Sequence, residues 1–190
     1  MRHWLAMIII SVCLAPARAS AEGEPRLLWL RNAHNGEELR VRPFRAHGVP
    51  NRRAWGQITH LFRRGPAERR TISPRLLRTL VQIQRHFASR RIDLHSGYRL
   101  PDEGQESNSY HHVGHAADIS IDDIEPRELF EYCRRLQSST EDGLGCGLYP
   151  NRRFVHLDAR PRSANWVDLG HHSYVTDPDG WLRENPDAGR

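Results

Sequence analysis

Lysine is missing from this 190-residue chain: its 28 basic residues are all arginine, set against 23 acidic ones. The arginines recur as pairs, Arg52-Arg53, Arg63-Arg64, Arg69-Arg70, Arg90-Arg91, Arg134-Arg135 and Arg152-Arg153, with no interleaved aromatics and no nucleic-acid motif. A nucleic-acid partner is therefore not expected, and a solvated basic surface is the simplest reading of the pairs. Cysteine is scarce, three in all. Neither Cys133 nor Cys146 has a second cysteine or a histidine at zinc-finger spacing, which argues against a cysteine-based metal site. After residue 21 nothing approaches the roughly 20 apolar residues of a membrane-spanning helix, so no stable membrane insertion is expected.

What the chain does have at its start is a leader. Arg2 and His3 form a short basic head, residues 4–15 an apolar run, and Ala17-Arg18-Ala19 or Ala19-Ser20-Ala21 a small-x-small cleavage site. Residues 1–21 read as a signal peptide. Cys13 lies in the apolar run, but Val12 before it is a poor match to the small residue that lipoprotein cleavage requires, so plain secretion is favoured over a lipid anchor. Of the net charge of +5, Arg2 and Arg18 leave with the leader. About 170 residues remain, enough for one domain with a real core. The expected division is a domain over 22–170 and an irregular tail over 171–190, with a monomer favoured. Export permits a disulfide between Cys133 and Cys146; two buried thiols are the equal alternative.

The apolar pattern predicts alternating short strands and helices. Leu27-Leu28-Trp29-Leu30 and Leu39-Arg40-Val41 flank His34-Asn35-Gly36, a hairpin signal. Asn51 is placed to cap a helix with Trp55, Ile58, Leu61 and Phe62 on one side, closed by Gly65-Pro66. Ser73-Pro74 then opens a second helix, with Leu76, Leu77, Leu80, Ile83, Gln84 and Phe87 at helical period. Ile92, Leu94 and Ser96 form a strand, 101–109 a polar loop and 114–121 another strand. A third helix begins at Pro126 and turns Leu129, Phe130, Cys133 and Leu136 inward. Residues 143–149 and 154–158 complete a hairpin around Pro150-Asn151. The fold class is α+β, a single domain with a small antiparallel sheet carrying the metal site and helices on its flanks.

Residues 109–118, SYHHVGHAAD, carry the chemistry. Gly114, Ala116 and Asp118 alternate as on one strand face, the small residues clearing space beside the carboxylate. His111 is in reach from the preceding loop. One histidine and one carboxylate do not hold a catalytic metal, and His156, in another alternating segment, offers the third ligand. Two imidazoles and a carboxylate suit zinc, with a fourth position left for water, which is hydrolytic chemistry. An isolated histidine would more simply be a hydrogen-bonded or surface residue. Here the register of His111 with Gly114, Ala116 and Asp118, together with His156, shifts the balance.

The pattern SxHxxGxAxD, matched at Ser109, His111, Gly114, Ala116 and Asp118, resembles the signature of the zinc D-Ala-D-Ala carboxypeptidases and their lysostaphin-type and hedgehog-type relatives. Ser96-Gly97-Tyr98-Arg99, Gly145-Cys146-Gly147-Leu148-Tyr149-Pro150 and Phe154-Val155-His156-Leu157-Asp158 are similar to the YcbK-like exported branch of murein endopeptidases. The resemblance spans roughly residues 26–169. It implies His111, Asp118 and His156 as ligands of one zinc ion per chain, peptidoglycan stem peptides as substrate, hydrolysis of a crosslink and a periplasmic location. Attraction of the arginines to anionic wall polymer would fit that setting.

Within such a site Arg99 is expected to bind a substrate carboxylate or stabilise an oxyanion. Tyr98 and Ser109 are expected near substrate, Ser109 either hydrogen-bonding beside the site or starting the turn. The carboxypeptidase branch has a Glu three residues before the last histidine ligand, where this chain has Arg153, which accepts no proton. Asp158 shares a strand face with His156. Two roles are open to it, general base or orienter of the His156 ring, and the need of a hydrolase for a base puts that role first. His112, His115 and His95 are spare imidazoles, His115 facing away from Asp118, while His171 and His172 are expected in solvent. The alternatives to a crosslink endopeptidase are a D-Ala carboxypeptidase and a catalytically idle, zinc-containing wall-binding module.

Overall fold

A computed structural model describes residues 27–65, 70–101, 108–139, 142–171 and 173–189. The leader, His172 and most of the 101–109 loop lie outside the described residues. Strands β1 (Leu28–Asn32) and β2 (Glu38–Val41) form the N-terminal hairpin, in register Leu28 to Val41. Helix α1 (Arg52–Phe62) is capped by Asn51, whose side chain accepts from Ala54 N, and buries Ala54, Ile58, Leu61 and Phe62. Trp55 is only partly buried, edge-on to Phe44. In α2 (Pro74–His86) proline occupies the first turn, and Leu76, Leu77, Leu80 and Ile83 are buried. Ser73 stands at the cap without a capping side-chain bond, its N–H donating instead to Gly114 O. Buried Gln84 ties α2 to β1 by bonding Trp29 N and Trp29 O, so a polar residue on an apolar face is satisfied.

Next come β3 (Ile92–Ser96), β4 (Ala116–Ile121), α3 (Pro126–Gln137), β5 (Leu144–Tyr149) and β6 (Phe154–Ala159), then β7 (Ala164–Gly170), β8 (Ser173–Val175) and α4 (Pro178–Glu184). The strands make one sheet in the order β2-β1-β3-β4-β6-β5-β7-β8. The α+β single domain is as expected, but the small antiparallel sheet is not. The sheet has eight strands and is mixed, because β1 pairs in parallel with β3 and β5 with β7. The helical crossover of α1 and α2 returns the chain to β1 in the same direction, which a tight hairpin cannot do. The irregular tail is also corrected: β8 pairs with β7, and α4 docks through buried Leu182 and the Arg134–Asp179 ion pair at 2.8 Å. Elements of three and seven residues are too short to show a period.

The core lies on the face where α2 and α3 pack, with Ala117, Ile119, Val155, Leu157, Cys146 and Leu148 in it. Cys133 on α3 and Cys146 on β5 join there in a disulfide, Cα to Cα 6.0 Å. Asp118, His156 and Asp158 alternate with these core residues and so project from the opposite face.

Candidate metal centre

The residues before β4 do not continue it. Tyr110–Val113 form a 3-10 turn whose cap is Ser109, the side-chain oxygen accepting from His111 N at 3.4 Å. Gly114 ends the turn in the left-handed region, φ 72°, 2.8 Å at its hypothetical Cβ from Thr71 O. Gly114 is therefore a turn terminator, not the first residue of the strand face expected for it, and β4 starts at Ala116. The glycine is needed for both its φ and its close approach. The turn swings His111 over the sheet toward Asp118.

On the sheet Asp118 lies directly opposite His156 in the antiparallel β4–β6 register. His156 Nδ1 is 2.8 Å from Asp118 Oδ1, and His111 Nε2 is 3.4 Å from the same oxygen and 3.2 Å from His156 Nδ1. One donor atom from each of the three residues falls within 4.8 Å of the others. The outward nitrogens are committed: His111 Nδ1 donates to Gly97 O at 2.7 Å, and His156 Nε2 to Asp158 Oδ2 at 3.0 Å. Those bonds fix tautomers that turn two imidazole lone pairs and a carboxylate oxygen toward one point, an arrangement that calls for a cation. The donor set fits zinc.

Electrostatics agree. Burial raises the Asp118 carboxyl, but hydrogen bonds from His111 and His156 outweigh it and hold the group well below the usual carboxylate range. Burial would lower His156, yet Asp118 and Asp158 raise it to about 9.

Asp158 meets the nitrogen of His156 that faces away from the converging donors. Its side chain is fully buried, one oxygen facing His156 Nε2, and Arg160 takes the carboxylate in a fork, Nε to Oδ1 at 2.7 Å and Nη2 to Oδ2. It touches the nitrogen of His156 that faces away from Asp118. Of the two roles left open by the sequence, these contacts favour the orienting one over the base. Room for the fork comes from small neighbours, since Ala116 and Gly145 flank Asp158 in the register and a Cβ on Gly145 would strike the Asp158 carboxylate. Gly147, beside His156, likewise leaves space for the Trp166 ring, centred 5.3 Å from the imidazole. Arg160 also lies over Tyr110 at 5.0 Å and Trp166 at 5.1 Å, linking the His111 turn to the His156 strand.

A cleft of about 750 Å³ opens beside Asp118, lined among others by Arg99, His95, Tyr98 and Phe154. Arg99, partly exposed, lines this cleft. Tyr98 is only 5% exposed and packs in the core, which leaves it little surface for substrate. His95 bonds Ser120 Oγ at 2.8 Å and stacks on Phe154, and burial lowers its pKa. Arg153 sits exposed at φ 55°, paired with Glu125 at 3.0 Å. His115 contributes its backbone oxygen to Ala159 N, and His112 and His171 are outside the converging group. Arg160 and Trp166 went unnoticed in the sequence, and Gly145 and Gly147 were noted there only as part of a family resemblance. The glycine alternation on β5, facing an aspartate on β6, was the available signal.

Residues 20–166 match the family described as peptidoglycan L,D-endopeptidase MepK. The chain is 32% identical over 148 residues to the peptidoglycan L,D-endopeptidase MepK of Escherichia coli K12, covering 72% of this chain and 78% of that protein. The MepK of Shigella flexneri matches to the same extent. No solved structure matches.

Proposed function

Because the chain belongs to the peptidoglycan L,D-endopeptidase MepK family, as its motifs led us to expect, we propose that it is an exported zinc peptidase that cuts peptide crosslinks of peptidoglycan at an L,D bond. The convergence of three donor groups beside an arginine-lined cleft supports this reading most strongly. Zinc, when bound to His111, Asp118 and His156, supplies the Lewis acidity that polarises a peptide carbonyl and lowers the pKa of water.

The chain's own residues do the rest. Gly97 O holds the His111 ring and Asp158 the His156 ring, so that neither has to reorient as charge develops. Arg99 anchors a carboxylate or the oxyanion. With Asp158 committed to His156, the neutral imidazole of His95, kept neutral by burial and lining the cleft with Asp118, takes the proton from the attacking water. The leader of residues 1–21 delivers the 22–170 domain to the periplasm.

Digestion of purified sacculi with the zinc-loaded protein tests the reading. Crosslinked muropeptides are expected to yield monomers, and His111→Ala or His156→Ala to abolish both product and zinc binding. Release of terminal D-Ala with crosslinks intact would make it a carboxypeptidase. Adsorption to sacculi without soluble fragments, despite stoichiometric zinc, would make it a wall-binding module.

A further inference from the structure

The three converging donors sit in the middle of the sheet, on β4 and β6 and the turn before β4, with the Arg99 cleft on the β3 side and β5, β7 and β8 on the other. On that other side the same sheet face is aromatic. Gly147 stands opposite His156 on β6 and opposite Trp166 on β7. Having no side chain, it lets the indole lie across its strand, since a Cβ there would fall 2.6 Å from Trp166 Nε1. Two residues further along β5, Tyr149 shares the face of Gly147 and pairs with Phe154, their rings stacked at 4.6 Å. Tyr149 is thus a diagonal cross-strand neighbour of His156, at a spacing that an aromatic side chain spans.

The hydrogen bonds on this side leave one proton unspent. Trp166 donates its indole N–H to the Tyr149 oxygen. Asp168, on β7, is occupied, accepting from Gly170 N at 2.7 Å and from the Tyr174 hydroxyl. Asp118 faces the two imidazoles. Among the described residues the Tyr149 O–H therefore finds no acceptor. Burial raises the phenol pKa and the bond from Trp166 offsets only part of that, so the group stays protonated. Its ring is only half-buried, held between the indole bond and the Phe154 stack. A peptide laid across the middle of the sheet has to pass over this side as well as over the cleft, and a neutral O–H suits an amide carbonyl, whereas a carboxylate is better met by a cation.

We propose that Tyr149 is a substrate-binding residue whose phenolic O–H donates a neutral hydrogen bond to a carbonyl oxygen of the peptide on the β7 side of the metal centre, with Trp166 as the residue that positions it. The inference rests on the peptidase reading for the identity of the peptide; donation by the phenol does not require cleavage.

Tyr149→Phe keeps the ring against Phe154 and removes only the hydroxyl. With zinc-loaded protein and a crosslinked stem-peptide dimer as the probe, this variant is expected to raise KM about three- to tenfold, the scale of one neutral hydrogen bond, with kcat within about twofold of wild type and zinc affinity unchanged by chelator competition. Because the donor carries no charge, the ratio of the two KM values should be the same at low and at moderate salt. Trp166→Phe should raise KM as well, and the two increases should not add in the double variant, since the indole acts through the phenol. An unchanged KM in Tyr149→Phe, or an increase that shrinks with salt, overturns the proposal, and so does a loss confined to kcat with weakened zinc binding, which marks a merely structural role. Additive increases overturn the part given to Trp166. If wild type does not cut the dimer, the peptidase reading falls, and titration calorimetry of the same dimer against the zinc-loaded proteins decides: binding weakened about three- to tenfold in Tyr149→Phe supports the donor, and equal or absent binding refutes it.

Discussion

Asp158→Asn separates the two roles that one carboxylate beside a ligand histidine can have. Asp158 accepts three bonds while fully buried, one from His156 and two from Arg160. An amide of the same shape has one accepting oxygen and turns its NH2 toward a donor, so either His156 Nε2–H or an Arg160 N–H goes unsatisfied. The Arg160 side chain keeps 20% of its surface in solvent, which moderates the loss. A destabilisation of about 2–4 kcal/mol follows, toward the lower end of the range for breaking a buried pair. The His156 tautomer is then no longer enforced, and zinc affinity is expected to fall about 10- to 100-fold. Zinc affinity is read by competition with a chromophoric chelator, and hydrolysis rate as a function of free zinc. A positioning residue shifts the activity curve to higher zinc but leaves its plateau within several-fold of wild type. An unchanged zinc midpoint with a plateau about a hundredfold or more lower, the scale of lost acid–base catalysis, would refute the positioning role and restore Asp158 as the base.

His95→Gln is expected to lower kcat by about a hundredfold with zinc affinity unchanged, measured by the same pair of assays; equal kcat would exclude His95 as proton acceptor. Gly145→Ala forces a methyl into the Asp158 carboxylate, so urea denaturation should show about 1–3 kcal/mol lost and the chelator assay weaker zinc binding. Replacing both Cys133 and Cys146 by Ala opens a bridge of sequence separation 13 and should cost about 3 kcal/mol by urea denaturation while zinc still binds. The raised pKa of His156 gives the zinc-free protein a stability contribution that is full below 6.5 and is lost as pH rises through about 9. Thermal melts should therefore show zinc-free protein declining across that window and the stabilisation by zinc growing, whereas a zinc-free melting curve flat in pH would contradict the buried charge pair.

The three converging donor residues were legible because each depends on local order. His111 and Asp118 share one short motif, His156 sits in an alternating run, and the antiparallel pairing of two such runs brings Asp118 opposite His156. Helices α1, α2 and α3 were legible for the same reason, their apolar residues repeating within a single window. The parallel partners of β1 and β5 were not, since nothing within a strand specifies which distant edge it joins. Gly114 was misread because a glycine two residues before a strand satisfies alternation whether or not its φ is positive. The choice between the two roles of Asp158 was not legible for a further reason: strand alternation gives the face it shares with His156 but not the ring nitrogen it meets.

That nitrogen decides the chemistry left to the rest of the site. A carboxylate on the outward side of His156, held by Arg160 and enclosed by Ala116 and Gly145, is withdrawn from the reacting side by the same contacts that make it useful. Arg153, three residues before His156, is turned to Glu125 and holds no exchangeable base. The contacts of Asp158 and the arginine at position 153 count against both carboxylate routes suggested by the motif. On the proposed reading the proton is taken from the cleft side, which His95 lines beside Asp118 and where burial lowers its pKa. A pH–rate profile for kcat/KM that loses its acidic limb in His95→Gln, at saturating zinc, would carry the assignment; a limb that persists unchanged would exclude His95 as the base.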